Sequence, residues 1–225
     1  LRLTTDWEVI ALDRKFWEDT RIKECDWIIH LAGQNRGEPQ DVYHTNVYLA
    51  HRVKEAVNAD CGIIFASSTH VDNLPDLPSK QLSPNEAYGA GKLEAEHILH
   101  EHKSFRIPNV FGEFCKPNYN SFVATFAHKV CTGVDIAVQD SYVKLTHVSD
   151  VVNVFKYYIN HRQSLPFRSQ TLMVSEVLKR FTHWHTTYSQ GGQVPDFSNP
   201  FDLKLFNTFR SYIPRDKKLF PTTPH

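Results

Sequence analysis

Short apolar runs alternate along the first half of the chain with stretches whose apolar residues recur at helical spacing. Glu8-Val-Ile-Ala-Leu-Asp13 is an apolar run bounded by acids, Trp27-Ile-Ile-His-Leu-Ala-Gly33 a second closed by a glycine, and Gly62-Ile-Ile-Phe-Ala66 a third. Each reads as a buried parallel strand, because a strand covered on both faces has no polar side to alternate. The gap between the first two has room for little more than one helical turn. Between the second and third, Val42, Val47, Leu49, Ala50, Val53 and Val57 predict a helix over Val42 to Ala56. Strand alternating with helix predicts an α/β fold with a doubly wound parallel sheet. Ligands of such sheets lie beyond the carboxyl ends of the strands. That rule lines up Asp13-Arg14, Ala32-Gly33 and Ser67-Ser68-Thr69 along one edge.

Farther on, Asp72 to Pro84 reads as a loop, and a helix runs from the Tyr88 region to about His102. Phe105-Arg-Ile107 is a short strand and Pro108 to Gly112 a turn. Ser121 to Val130 is a helix with Ser121 as its N-cap, Lys144 to Val148 a strand, and Ser149-Asp150 opens a helix over Val151 to Tyr158. The pattern weakens beyond Asn160, where helices are expected over Val174 to Trp184 and Phe201 to Tyr212, with a break at Gly191-Gly192. The tail from Arg215 to His225, with Pro221 and Pro224, reads as the start of a linker. Leu1-Arg-Leu-Thr-Thr5 reads as the end of a helix already under way, so the chain is expected to be part of a longer protein.

Composition narrows the function classes. The 225 residues are 41% hydrophobic and 22% charged, ordinary for a globular domain, and 25 basic residues balance 25 acidic ones. No general field recruits nucleic acid or an acidic membrane surface. No apolar run reaches membrane-span length and no secretory signal opens the chain, so a cytoplasmic protein is expected. Cys25, Cys61, Cys115 and Cys131 are widely spaced without a C-x-x-C, which suggests reduced thiols and neither a zinc knuckle nor a disulfide framework. His183 and His185 flank Trp184 with no third ligand in view; they read as part of an amphipathic helix, and no metal is expected.

The chemistry concentrates in Asn85-Glu-Ala-Tyr-Gly-Ala-Gly-Lys92. Tyr88 and Lys92 stand one helical turn apart on the same face. A phenol has a pKa of about 10, and a nearby ammonium favours the phenolate and brings it toward working pH. Short motifs of this kind also arise by chance. On the bland reading the two are surface helix residues, and Ser67 and Ser68 merely turn the chain at a strand end.

Six motifs in order tip the balance: His30-Leu-Ala-Gly33, Asn46-Val47, Phe65-Ala-Ser-Ser-Thr69, Tyr88-Gly-Ala-Gly-Lys92, Arg106-Ile-Pro-Asn-Val-Phe-Gly112 and Leu145-Thr-His-Val-Ser-Asp150. With them the chain resembles the extended short-chain dehydrogenase/reductase family, of the NAD-dependent epimerase/dehydratase type. His30 to Arg36, Pro108 to Phe126 with its Cys-Lys-Pro-Asn-Tyr-Asn run, and Lys204 to Pro214 are similar to the reductase half of capsular polysaccharide proteins of the CapF (WbjC) type.

The resemblance implies a Rossmann-like fold. Residues 1–107 would form an NADP-binding domain to which 144–160 return, 108–214 would mainly bind substrate, and 215–225 would lead to a cupin domain. It implies NADPH-dependent reduction of the 4-keto group of a UDP-2-acetamido-2,6-dideoxy-hexulose, on the route to UDP-N-acetyl-L-fucosamine. Tyr88 would donate the proton, Ser68 (or Thr69) would hydrogen-bond the same oxygen, Lys92 would lower the Tyr88 pKa and hold the nicotinamide ribose, and Asn46 would support the proton path. Leu31, Ala32 and Gly33 would line the cofactor. Arg14 suits an adenosine 2′-phosphate and neighbouring Asp13 a free 2′-hydroxyl; NADP is the choice made. Asn109, Lys116 and Asn120 are substrate-binding candidates, and a homodimer through the helices bearing Asn46 and Tyr88 is implied.

Two departures stand out. The glycine-rich turn that should cradle the pyrophosphate is absent, with the strand before it, and so is the cupin half. Two other functions therefore stay open: a nucleotide-sugar 4-epimerase of the same fold, and a non-catalytic Rossmann-like remnant. Dehydration is disfavoured because His70 and Val71, not carboxylates, follow Thr69.

Overall fold

The computed structural model describes residues 6–13, 15–75, 82–197 and 199–214. The chain divides into two units, residues 1–107 and 108–225. Residues 144–160, expected to return to the first domain, fall in the second unit.

In the first unit, two short 3-10 turns (Phe16–Glu18 and Thr20–Glu24) lead into β1 (Trp27–His30), α1 (Pro39–Ala56), β2 (Gly62–Ser68), α2 (Pro84–Ile98) and β3 (Lys103–Ile107). The sheet is all parallel in the order β1-β2-β3, with Trp27 opposite Gly62 and Ser68 opposite Ile107. Sequential parallel strands joined by right-handed crossovers put their helices on one face, and α1 and α2 pack against each other there. Ala50, Val53, Ala56 and Ala95 from the helices and Leu99, which caps α2, meet Ile63 and Phe65 from β2 in one buried cluster. The second glycine of the Tyr88 motif permits that approach: a methyl on Gly91 would stand 3.1 Å from the Tyr43 carbonyl oxygen of α1.

Glu8 to Asp13 forms no strand. None of its residues is buried, and Leu12 instead packs against the cluster just described. An apolar run becomes a strand only with a partner to hydrogen-bond, and within the described residues β1 pairs with β2 alone.

The second unit holds β4 (Asn109–Phe111), α3 (Phe122–Thr132), β5 (Tyr142–His147), α4 (Val148–His161), β6 (Ser169–Met173), α5 (Val174–Trp184), a π-helical turn (His185–Gln190) and α6 (Pro200–Arg210). Its sheet runs β4-β5-β6, the first pair parallel and the second antiparallel. β4 lies where the sequence suggested a turn: three residues between Pro108 and Gly112 are too few to show a period. Phe111, Phe126, Phe181, Trp184, Phe206 and Phe209 build an aromatic core over this sheet. Ser121 caps α3 as expected, accepting from the Ala124 N–H at 3.3 Å. Lys204 Nζ donates to both carboxylate oxygens of buried Asp150, at 2.6 and 2.7 Å, tying α6 to the start of α4.

Candidate active site

Local chemistry fixes where α2 begins. Ser83 and Glu86 form a reciprocal capping box, the Ser83 N–H donating to Glu86 Oε2 at 2.7 Å and the Glu86 N–H to Ser83 Oγ at 3.3 Å, with Pro84 in the first turn. Tyr88 and Lys92 then follow on successive turns. Gly89 between them lets the helix press on the 3-10 turn Thr69–Asn73: a methyl there would lie 2.8 Å from the His70 carbonyl oxygen. Gly89→Ala is expected to lower stability by about 1–2 kcal/mol in urea unfolding. The overpacking, about 1–3 kcal/mol against rigid backbone, exceeds the roughly 0.5–1 kcal/mol that alanine returns to a helix interior.

Ser68 ends β2 and is buried. Its Oγ accepts from the His70 N–H at 3.2 Å and lies 2.9 Å from His70 Nδ1, and it is near enough to the Tyr88 phenol to oppose the upward shift of its pKa. Ser67 points elsewhere, donating to Glu96 Oε1 at 2.5 Å, and Glu96 in turn pairs with Arg106, which also binds Asp72. Of the three small residues at the strand end, Ser68 is therefore the one beside the phenol. Thr69 opens the 3-10 turn, its carbonyl accepting from Asn73 Nδ2.

Lys92 is 2% exposed; its Nζ donates to the Ala66 carbonyl at 3.0 Å and sits 4.6 Å from the Phe65 ring centroid and 5.7 Å from that of Tyr88. Burial brings the ammonium down to a pKa of about 8. His30, stacked on Phe65, is held neutral with a pKa of about 3, by burial first and by the Lys92 charge second. The Tyr88 phenol is pushed up, not down: burial dominates, and the nearby Ser68 hydroxyl only opposes it. The net direction is thus upward, with desolvation the larger cause, and the Lys92 charge is not among the causes of the Tyr88 shift.

Asn46, on α1, donates from Nδ2 to the Gln34 carbonyl at 2.6 Å and the Val42 carbonyl at 2.7 Å, pinning the loop after β1 to the helix. Its Oδ1 is buried without a hydrogen-bond partner in the protein. A methyl on Gly33 would stand 2.7 Å from that Oδ1 and 3.0 Å from Lys92 Nζ. A bare glycine with an acceptor and a donor on either side fits a polyhydroxyl group such as a nicotinamide ribose.

A sequence profile of the NAD dependent epimerase/dehydratase family matches residues 8–168. The chain belongs to that family. Among its relatives there, the UDP-2-acetamido-2,6-beta-L-arabino-hexul-4-ose reductase of Pseudomonas aeruginosa is 28% identical over an alignment covering 91% of this chain and 57% of the relative. The chain therefore spans little more than half the length of that protein. The capsular polysaccharide assembling protein CapF of Staphylococcus aureus superposes with a TM-score of 0.76 at 24% identity, over 98% of this chain and 63% of CapF. A structure of RMD from Pseudomonas aeruginosa complexed with NADPH gives 0.59 at 16% identity, over 84% of this chain and 80% of RMD. These likenesses show the Rossmann-like α/β fold expected from the sequence.

Leu31, Ala32 and Gly33 follow β1 at its carboxyl end, and Leu31 is exposed. Asp13 is exposed, and Arg14 lies outside the described residues, as does the tail 215–225. Asn109, Lys116 and Asn120 belong to the second unit and are exposed; Asn109 begins β4, and Lys116 Nζ is 5.7 Å from the Tyr119 ring centroid. No group of three metal-ligating side chains occurs among the described residues, and no described helix is long and apolar enough to cross a membrane. Sequence reasoning missed His70 as a member of the cluster. The available signal was its place two residues after Ser68, where a serine-turn geometry returns the side chain to the hydroxyl.

Proposed function

We propose that this chain is the reductase part of an NADPH-dependent UDP-sugar 4-ketoreductase, acting on a UDP-2-acetamido-2,6-dideoxy-hexulose as its Pseudomonas relative is named to do. The observation that carries the reading is the cluster itself: a protonated phenol, a buried serine beside it, and a buried lysine one turn away beside an unpartnered Asn46 Oδ1. NADPH, when bound, supplies the hydride. Lys92, Tyr88 and the Gly33 backbone would hold its ribose, with Asn46 fixing the loop. Arg14, which precedes β1 in the sequence, is the reason for choosing NADP.

Reduction of a ketone leaves an alkoxide that must be protonated. Tyr88 is suited to donate, because burial keeps its proton in place at neutral pH. Ser68 would hydrogen-bond the same oxygen and stabilise charge where it develops. Lys92 would place a positive charge near the phenolate left behind. Residues 1–107 would carry this chemistry, and 108–214 would hold the UDP-sugar.

The test is NADPH oxidation by the full-length gene product with the 4-keto sugar, followed by loss of NADPH absorbance. Stoichiometric oxidation dependent on the ketone supports the reading. Binding of NADPH without oxidation, together with interconversion of a UDP-hexosamine, would replace it with the epimerase.

A further inference from the structure

Tyr88, Lys92 and Glu96 follow one another at intervals of four residues along α2 and so share one face of it. Two of them tie the helix to β2 just before Ser68: Lys92 Nζ donates to the Ala66 carbonyl at 3.0 Å, and Glu96 Oε1 accepts from Ser67 Oγ at 2.5 Å. Glu96 is held in turn by Arg106, which stands opposite Ser67 where β3 pairs with β2. Arg106 Nε donates to Glu96 Oε1 at 3.0 Å and one terminal nitrogen to Oε2 at 2.7 Å. The other terminal nitrogen donates to Asp72 Oδ1 at 2.7 Å. Asp72 lies on the 3-10 turn Thr69–Asn73, which leaves Ser68 and whose His70 N–H donates to the Ser68 hydroxyl. One planar guanidinium thus spans the helix that carries the phenol and the turn that holds the serine.

The two arms of this fork differ in burial. The Glu96 side chain is 13% exposed, whereas that of Asp72 is 50% exposed and that of Arg106 40%. An ion pair as open as Arg106–Asp72 adds little to stability, so its consequence is geometric. Where α2 meets the turn directly, it does so through the bare face of Gly89, against the His70 carbonyl, and through the Tyr88 ring, edge-on to His70. Contacts of that kind set how near the two elements come. The directed hydrogen bonds of Arg106 set their register.

We propose that Arg106 is a positioning residue: forked between Glu96 and Asp72, it fixes α2 against the turn after Ser68 so that the Tyr88 phenol and the Ser68 hydroxyl reach the same substrate oxygen. The inference rests on the reductase reading above. Arg106 acts through the two carboxylates and not on the substrate. Its loss therefore falls on proton donation, which needs both hydroxyls aligned, and leaves the binding of cofactor and sugar largely as it was.

The experiment measures kcat, KM, the ratio of kcat in H2O to that in D2O, and the urea midpoint for the full-length gene product. The variants are Arg106→Lys, Arg106→Gln, Asp72→Ala, the double variant Arg106→Gln/Asp72→Ala, and Tyr88→Phe. Lysine keeps the charge but is a point donor without the fork. Arg106→Lys is therefore expected to hold the urea midpoint near native while kcat falls about 10- to 100-fold, the scale set by a misplacement of about 1 Å. KM should change little, and the H2O/D2O ratio should rise as proton donation slows. Arg106→Gln should lose at least as much kcat. Asp72→Ala cuts the exposed arm alone and should show the same signature with a smaller drop; added to Arg106→Gln it should cost little further, because the two residues act as one unit. Native kcat in Arg106→Lys or in Asp72→Ala overturns the proposal. So does a lowered kcat that merely follows the folded fraction, with an unchanged H2O/D2O ratio. Tyr88→Phe separates the two levels. Should it keep turnover, or should the native protein reduce no ketone, the reductase reading falls and the inference with it; should it be inactive while Arg106→Lys is native, the Arg106 inference alone falls.

Discussion

Tyr88→Phe is expected to lower the turnover of ketone reduction about 10²- to 10⁴-fold, the usual contribution of a positioned general acid, with little change in KM. The substitution removes one oxygen from a half-buried ring whose packing against His70 is retained, so thermal stability should be nearly native. The raised phenol makes a second, sharper expectation. Reduction needs the protonated form, so the native enzyme should keep its reductive kcat at alkaline pH, falling only as pH rises through the elevated Tyr88 value. Oxidation of the alcohol needs the phenolate and should rise over the same range. Steady-state rates in both directions against pH check this. A reductive rate already falling between neutrality and pH 9 would mean that Lys92 controls the phenol, as the bare spacing suggested, and that burial does not.

What the sequence disclosed follows from how local each signal is. The helix carrying Asn46, the β2 run Ile63-Ile64-Phe65 and the Tyr88/Lys92 helix were readable because period and length are local properties. The capping box at Ser83 and Glu86 was present in the letters too, three residues apart, and would have fixed the start of α2. Glu8 to Asp13 misled because strand formation depends on a neighbour, which no single run contains. β4 and β6 escaped for a related reason: Asn109–Phe111 is too short to show a period, and Ser-Gln-Thr-Leu-Met173 has little apolar content until it pairs with β5. The grouping of Ser68, Tyr88, Lys92 and Asn46 was inferred from motif order, and their burial was not. It is burial that sets the direction of the Tyr88 shift, whereas the turn after Ser68 is what brings His70 to its hydroxyl.

Lys92→Met should reveal what holding that lysine does to the fold. Its ammonium, ordinarily near 10.5, titrates at about 8 in the folded protein because burial disfavours its charge. Below pH 8 both folded and unfolded chains bind the proton, and the folded state carries the full penalty. From pH 8 upward the folded lysine releases its proton while the unfolded one keeps it, so stability rises with pH until about 10.5. A shift from 10.5 to about 8 corresponds to roughly 3 kcal/mol. Most of the gain falls below pH 10, where the raised Tyr88 phenol begins to act in the opposite sense. Methionine fills much the same volume without a charge. It forfeits the hydrogen bond to Ala66 O, about 1 kcal/mol, so near neutrality the variant should be at least as stable as the native protein while losing turnover. Urea midpoints at half-unit pH intervals decide the matter. Between pH 8 and 10 the native curve should climb relative to the Lys92→Met curve, the raised Cys61 and Cys25 thiols lowering both alike from about pH 9 upward. Parallel curves would mean that Lys92 keeps water or a counter-charge in the folded state, and with that the desolvated donor beside Gly33 and Asn46 would be lost as the basis for ribose binding.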